Sequence, residues 1–115
     1  MQYALLIYQS EAEWNSVPEE KKKLAFGEYK KLTEELDKSG KRFGGFPLQP
    51  VRAASIVRVR EGKTLVTDGP FAETREQLAG FYLIDVADLD EAIGIAGRIP
   101  TARSGSIEIR PALKF

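Results

Sequence analysis

Residues 67–81 read TDGPFAETREQLAGF and separate two apolar runs of the chain. The Asp-Gly-Pro turn at 68–70 combines three local effects: Asp accepts backbone N–H bonds, Gly relaxes the steric limits, and Pro fixes the exit direction. Ionisable side chains follow the turn at Glu73, Arg75 and Glu76. The segment therefore predicts a rigid turn and gathers charged groups where chemistry could take place.

The sequence on both sides of this turn predicts strands. Residues 54–60 alternate between two faces, and a Glu-Gly-Lys turn leads into residues 64–67, which predicts a β-hairpin. Residues 81–86, FYLIDV, predict the next strand. Glycines and prolines interrupt residues 43–51, so we expect a short strand edge there, followed by an irregular segment.

The remaining elements are two helices and two strands. Residues 3–8 form a short, nearly continuous apolar run that predicts the first strand, and residues 106–110 alternate as a last strand. Capping-box spacings begin at both Ser10 and Ser16, and the second, with Pro18 near its start, predicts the main helix, which runs to about residue 39. Asp88 caps a second helix that ends near residue 99. The apolar stripe of the main helix consists of Ala25, Tyr29, Leu32 and Leu36.

This order of elements indicates an α+β fold in one domain, residues 1–115. The commonest small solution is a ferredoxin-like antiparallel sheet with the two main helices on one face. The second sheet face then needs cover, and a second copy of the same sheet supplies it most economically. We therefore expect a symmetric homodimer.

Composition excludes several chemistries, because the chain contains no histidine and no cysteine. Neither a Ser-His-Asp nor a Cys-His nucleophile system can be assembled, and thiolate or imidazole zinc sites and disulfides are excluded. Seventeen Lys and Arg balance seventeen Asp and Glu, so no net field favours nucleic acid or an anionic membrane. The N-terminus lacks a basic region followed by a long apolar run, which predicts a cytoplasmic protein.

Asp68 is the best candidate for acid/base catalysis, since only a displaced pKa would let any remaining side chain titrate near neutrality. The alternative is a purely structural role for Asp68, whose side chain would accept backbone N–H hydrogen bonds within the turn. Glu73 and Arg75 have a functional interpretation through their proximity to Asp68, and a solvated charge cluster on a surface loop is the alternative.

Three further side chains are candidates for binding a polar ligand. Glu108 and Arg110 lie two residues apart on a predicted strand and so share one face. They could hold a substrate, or form a salt bridge that is exposed or lies in an interface. Arg58 shares a strand face with Arg60 and could bind an anion, although charge that protects a sheet edge explains the pair better. The acidic cluster at residues 85–91 lacks calcium-loop spacing and is explained by N-capping, so we expect no metal and no cofactor.

The chain resembles the DGPF branch of the YCII-related family over nearly its whole length. The resemblance implies a dimeric ferredoxin-like α/β barrel. Some YCII relatives carry a His and an Asp near the interface cleft, whereas this chain has no His to place there. DGPF proteins are often encoded beside extracytoplasmic-function sigma factors, which implies a sigma-factor partner. The resemblance is carried by TDGPFAET at 67–74 with RE at 75–76, GFY at 80–82, DLDEA at 88–92 and EIRP at 108–111.

Two functional hypotheses follow. The first is a ligand-binding or regulatory module with a polar cleft near the dimer interface, where a small polar ligand binds. The alternative is a small-molecule enzyme of lyase, isomerase or hydrolase type that uses Asp68 as acid/base, with Glu108, Arg110 or Arg58 positioning the substrate. The missing histidine favours the module.

Overall fold

The computed structural model describes residues 1–114, so Phe115, the last residue of the predicted domain, lies outside the described residues. Single 3₁₀ turns occur at Val51–Ala53 and Pro100–Arg103. The strands and helices, in chain order, are β1 Gln2–Gln9, α1 Glu11–Asn15, α2 Glu19–Lys38, β2 Arg42–Gly44, β3 Ser55–Arg60, β4 Lys63–Asp68, β5 Gln77–Asp85, α3 Leu89–Arg98 and β6 Ser106–Pro111.

Four of the strands form one antiparallel sheet in the order β2-β5-β1-β6. In the register of this sheet, Leu5 on the central strand β1 lies between Tyr82 of β5 and Ile109 of β6. The predicted α+β class is confirmed, and the strand order is consistent with the predicted ferredoxin-like topology.

The helix ends follow from their capping residues. α2 begins directly after Pro18, as predicted, with Glu19 and Glu20 in its first turn, where the helix dipole favours carboxylates. The first capping signal is also used, because the Ser10 hydroxyl accepts a hydrogen bond from the Glu13 N–H and starts the separate short helix α1. The sequence pattern predicts only one helix in this region, so α1 is an additional element.

The start of α3 confirms the capping interpretation of the acidic cluster. The Asp88 carboxylate accepts the Glu91 N–H at 2.9 Å, and the Glu91 side chain accepts the Ala87 N–H at 3.2 Å. This reciprocal pair satisfies N–H groups that the helix itself leaves without partners. Among residues 1–114, no three acidic side chains meet in an arrangement that could hold a metal ion.

A single hydrophobic core joins the sheet to α2 and α3. On β1, the alternate residues Tyr3, Leu5 and Ile7 are buried, and the same cluster contains Leu32 of α2 and Ile95 of α3. Leu5 is completely shielded from solvent. The intervening residues of β1 point to the other side of the sheet and are only partly buried.

The predicted hairpin is confirmed, but it does not join the main sheet. β3 and β4 form a separate two-stranded sheet, with Val57 opposite Val66 and Arg58 opposite Leu65. Residues 55–68 are called the arm below. Within residues 1–114 no other strand or helix makes more than marginal contact with the arm.

Two segments differ from the sequence prediction in extent. β5 begins at Gln77, four residues before the predicted start, because its first residues pair with the end of β1 across a bulge next to Ile7. The irregular segment after β2 runs along the β5 edge, where the Leu48 N–H donates to the Ala79 carbonyl at 2.8 Å. No helix among the described residues is long and apolar enough to cross a membrane.

Candidate functional site

A cavity of about 840 Å³ lies between the first half of α2 and the helix-side face of the sheet. α1 contributes Trp14, the segment after β2 contributes Phe46 to Leu48, and the turn after α3 contributes Thr101. The walls are predominantly apolar. Ligand pockets in proteins typically enclose about 300–1,000 Å³ and carry a few polar groups on apolar walls, so this cavity has the size and lining of a binding site.

The cavity arises because the two halves of α2 pack differently. Leu32 and Leu36, in the second half, are buried in the core, whereas Ala25 and Tyr29, in the first half, line the cavity. The apolar stripe predicted from the sequence is therefore one continuous helix face. Its second half packs in the core, and its first half forms a wall of the cavity.

Gly80 explains why the opposite wall also leaves space. A Cβ at this position would lie 3.0 Å from Pro47 Cα and 3.1 Å from the Phe46 carbonyl oxygen. A side chain at this position would push the segment after β2 away from the β5 edge by a few tenths of an ångström, so glycine favours this close approach. The bare backbone at Gly80 forms part of the cavity wall.

Two hydroxyl pairs supply polar groups inside the cavity. The hydroxyls of Tyr29 and Thr101 lie 2.5 Å apart, and those of Thr33 and Tyr82 lie 2.8 Å apart. The Thr33 hydroxyl donates to the Tyr29 carbonyl oxygen, which leaves Tyr82 as the donor of the second pair. Desolvation raises the pKa of both phenols, so they remain neutral at physiological pH. They can donate and accept hydrogen bonds but do not carry charge.

The charged groups of the lining are mainly cationic. The guanidinium of Arg42 donates to both carboxylate oxygens of Asp37, at 2.7 and 3.0 Å, and these hydrogen bonds lower the pKa of that carboxyl. Arg103 is similarly held by Glu28 at 2.9 Å. Lys21 and Lys30 also line the cavity and form no salt bridge within residues 1–114.

Thr33→Val tests whether the hydroxyl pair inside the cavity is a structural bond. Valine keeps the shape but removes the acceptor of Tyr82, so we expect a loss of about 1 kcal/mol in the free energy of unfolding. Tyr82→Phe and the double variant complete a double-mutant cycle in urea denaturation. Because the two groups bond each other, the double variant should cost less than the sum of the single losses. Strictly additive losses would contradict the bond.

Asp68 lies outside this cavity, at the end of β4. The following Gly69 has a φ of 93°, a conformation that L side chains rarely adopt, and its N–H donates to the Ala54 carbonyl at 2.7 Å. Within residues 1–114 the Asp68 side chain makes no hydrogen bond or ion pair. The turn is therefore present in the backbone, but the bond from the backbone to the Asp68 carboxylate that the turn alternative expected is not seen among the described residues. The acid/base role stays a prediction.

Glu108 and Arg110 lie on alternate positions of β6, and both are exposed. The Tyr8 hydroxyl donates to a carboxylate oxygen of Glu108 at 3.3 Å. Desolvation and then the Glu108 carboxylate raise the pKa of Tyr8. This group lies on the sheet face opposite the core, because its positions alternate with the buried residues of β1.

The other predicted ligand residues are dispersed. Glu73 and Arg75 lie exposed in the loop between β4 and β5, and Arg58 lies on the arm. None of the six predicted site residues lines the cavity. Within one chain the structure thus does not assemble the predicted polar cleft from Asp68, Glu108 and Arg110.

The cavity residues were not identified from the sequence as a site. Ala25 and Tyr29 were identified only as members of the apolar stripe of the main helix. The available signal was the composition of the α2 stripe, which changes from Ala and Tyr to two leucines halfway along the helix. Because a hydrophobic stripe reports only which face is covered, it does not distinguish a packed core from a cavity wall.

The fold and the cavity together define a small α+β protein with an apolar cavity between α2 and the sheet. Residues 1–115 match the family described as YCII-related domain, and the chain belongs to this family. It is 40% identical over 113 residues to a protein of Rhizobium meliloti (strain 1021) named "Uncharacterized protein R00369". The match covers 96% of this chain and 91% of that protein. The predicted membership of the YCII-related family is confirmed, and the DGPF branch stays a prediction.

Proposed function

We propose that this protein binds a small, mainly apolar molecule in the cavity between α2 and the sheet. The observation that carries the proposal is the cavity itself, about 840 Å³ in volume, with neutral hydroxyls set among apolar walls. Such walls favour an apolar body, since burying apolar surface contributes roughly 25 cal/mol per Å². The hydroxyl pairs fix its orientation through hydrogen bonds.

The charged lining favours a ligand that carries an anionic group. Four basic side chains line the cavity against two carboxylates, those of Glu11 and Glu13. Arg42 and Arg103 already bond to carboxylates of α2, which leaves Lys21 and Lys30 to meet the ligand charge. An aromatic or aliphatic carboxylic acid fits this combination. An unbiased metabolite-binding screen on the purified protein tests the proposal, which expects such acids among the hits.

We further propose that binding is regulatory and takes place in the cytoplasm, with an extracytoplasmic-function sigma factor as an associated partner. The support for the partner is the resemblance to DGPF proteins. The support for a non-catalytic role is that the chain has no histidine and that the two phenols inside the cavity stay neutral, because desolvation raises their pKa. Co-purification with the sigma factor, in the presence and absence of a ligand from the screen, tests the association.

We also propose a homodimer in the manner of a dimeric α/β barrel, joined through the open face of the sheet. On this face Leu6, Phe81 and Leu83 lie side by side and are only partly buried. The chain is only 20 Å thick in its shortest direction, which two layers already occupy. A second copy would supply the missing layer. Light scattering that shows a stable monomer at all micromolar concentrations would contradict the dimer.

Asp68→Asn separates the cavity proposal from the enzymatic alternative, in which Asp68 acts as acid/base. Asparagine keeps the size and one acceptor oxygen but removes the charge. If the ligand occupies the cavity, its affinity should change less than about twofold, and the stability loss should stay near 1 kcal/mol or below. If the variant lost activity, or if its affinity for the ligand fell at least about tenfold, the functional site would lie at Asp68 and not in the cavity.

A further inference from the structure

The short helix α1 forms one wall of the cavity although little of it is packed. It has five residues, none of them buried, and within residues 1–114 no other helix or strand makes more than marginal contact with it. A helix of this length is not stable by itself in water, because the cost of nucleation exceeds the gain from a few hydrogen bonds. Specific side-chain contacts are therefore needed to hold α1 in place.

Two hydrogen bonds at Glu11, the first residue of α1, supply that restraint. The Glu11 N–H, which the helix itself leaves without a partner, donates to the side-chain oxygen of Gln77 at 2.9 Å. The Glu11 carboxylate accepts the Val51 N–H at 3.0 Å. Both bonds are partly buried, and a hydrogen bond to an ionised acceptor is stronger than one between neutral groups. Glu11 thus ties α1 to the start of β5 and to the 3₁₀ turn after β2.

The same contacts reach the loop at residues 71–76, which carries much of the sequence signature. The side-chain nitrogen of Gln77 donates to the Thr74 carbonyl oxygen, and the Thr74 hydroxyl donates to the Glu76 carbonyl oxygen at 2.7 Å. Gln77 therefore bonds the loop with one end of its amide and α1 with the other. An amide suits this position, because it offers a donor to a carbonyl and an acceptor to an N–H at the same time.

Trp14 is the cavity side chain whose position depends on this restraint. It lies three residues after Glu11 and lines the cavity. Its ring meets the Phe26 ring edge-on at a centroid distance of 5.7 Å, and the Lys22 ammonium nitrogen lies 5.4 Å from the Trp14 centroid. Because Phe26 and Lys22 both belong to α2, these contacts hold the indole against α2 but do not connect α1 to the sheet.

We propose that Glu11 and Gln77 are positioning residues for the cavity: they fix α1, and with it the Trp14 wall, so that a bound ligand is enclosed. The inference rests on the proposed ligand binding in the cavity, and it extends that site to groups that act through Trp14. Through Gln77, the loop at residues 71–76 also contributes to binding. The signature segment thereby gains a role in which Asp68 need not act as an acid/base.

Four single variants test the positioning through Trp14, the only tryptophan of the chain. Glu11→Ala removes the acceptor of the Val51 N–H and Gln77→Leu removes that of the Glu11 N–H, whereas Glu11→Gln keeps an acceptor and loses only the charge. The control, Glu20→Ala, removes an exposed carboxylate of α2 that does not line the cavity. Without ligand, acrylamide should quench Trp14 at least about twofold more efficiently in Glu11→Ala and Gln77→Leu, because a released α1 exposes the indole. Glu11→Gln and Glu20→Ala should be quenched like the wild type.

The effect on binding is measured with the aromatic anion anilinonaphthalene sulfonate, through the emission of the probe itself. Its dissociation constant should rise at least about tenfold in Glu11→Ala and Gln77→Leu. Charge alone predicts the opposite sign for Glu11→Ala, since removing a carboxylate from the lining favours an anionic probe. For the same reason Glu11→Gln, which keeps the acceptor, should bind the probe at least as well as the wild type.

The two readouts separate this inference from the proposal on which it rests. Quenching of Trp14 equal to the wild type in both Glu11→Ala and Gln77→Leu would overturn the positioning of α1. Greater quenching with unchanged probe affinity would overturn its role in binding and leave the cavity as the site. A wild type that does not bind the probe would contradict ligand binding in the cavity, and the quenching of the variants, which needs no ligand, would still decide whether Glu11 and Gln77 position α1.

Discussion

Ala25→Glu is expected to weaken binding of an apolar acid in the cavity by about a hundredfold, which is the largest effect on binding that the structure predicts. Ala25 lines the cavity from the first half of α2. A carboxylate there adds a negative charge beside the ligand and must lose water when the ligand enters. Glutamate is a good helix former, and the cavity is open on one side so that the side chain can reach solvent, so the fold should persist.

Gly27→Glu is the matched control for this variant. Gly27 lies on the same helix, faces open space and does not line the cavity. It receives the same charge at nearly the same distance along α2, so any effect of charge alone appears in both variants. Isothermal titration with an acid from the screen measures both affinities. Equal affinities for the two variants would contradict a ligand in the cavity.

Leu5→Ala is expected to produce the largest loss of stability, about 2–5 kcal/mol in the free energy of unfolding. Leu5 is completely buried on the central strand, between Tyr82 and Ile109. Its removal leaves a cavity in the core of each chain. Because this core lies within one chain, the loss measured by urea denaturation should not depend on protein concentration.

Leu6→Ala, one residue further along the same strand, gives the complementary result. Leu6 points to the open sheet face and is only partly buried. If a second copy covers that face, the variant should raise the dimer dissociation constant at least about tenfold and cost little in the monomer. A Leu6→Ala loss that is independent of concentration would contradict an interface at the sheet face.

Local patterns predicted most of the secondary structure because each element carries its own signal. The alternation at residues 54–60 and 64–67 identified both strands of the arm. The capping residue Asp88 identified the start of α3. The short helix α1 was missed because its capping signal at Ser10 was passed over in favour of the one at Ser16.

The cavity was not predictable in the same way, because it depends on distances between elements that are far apart in the chain. Gly80 and Pro47 determine how closely one segment approaches β5, and Ala25 determines what faces them across the gap. The spacing of apolar residues along the sequence predicts helices and strands, but it carries no information about the distance between two such elements. The position of the arm is a similar case, since a hairpin that joins a sheet and one that leaves it have the same alternation.

The predicted polar site illustrates the limit of local reasoning about function. Asp68, Glu73 and Arg75 were grouped because they are close in the sequence, and Glu108 and Arg110 because they share a strand face. Asp68 lies at the end of the arm and Glu73 and Arg75 lie in the loop after it, whose Glu76 accepts a hydrogen bond from the Ser106 hydroxyl at the start of β6. The structure shows no direct contact between these residues and Glu108 or Arg110 within residues 1–114. The cavity is lined instead by residues that do not stand out in the sequence as functional candidates, such as Thr33 and Thr101.

The most direct test of ligand binding is a titration with anilinonaphthalene sulfonate, an apolar aromatic anion, followed through Trp14. This residue is the only tryptophan of the chain, and it lines the cavity. We predict saturable quenching of Trp14 emission with one probe molecule per chain, which is lost in Ala25→Glu and kept in Gly27→Glu. Quenching that does not saturate, or that is the same in both variants, would contradict a binding site between α2 and the sheet.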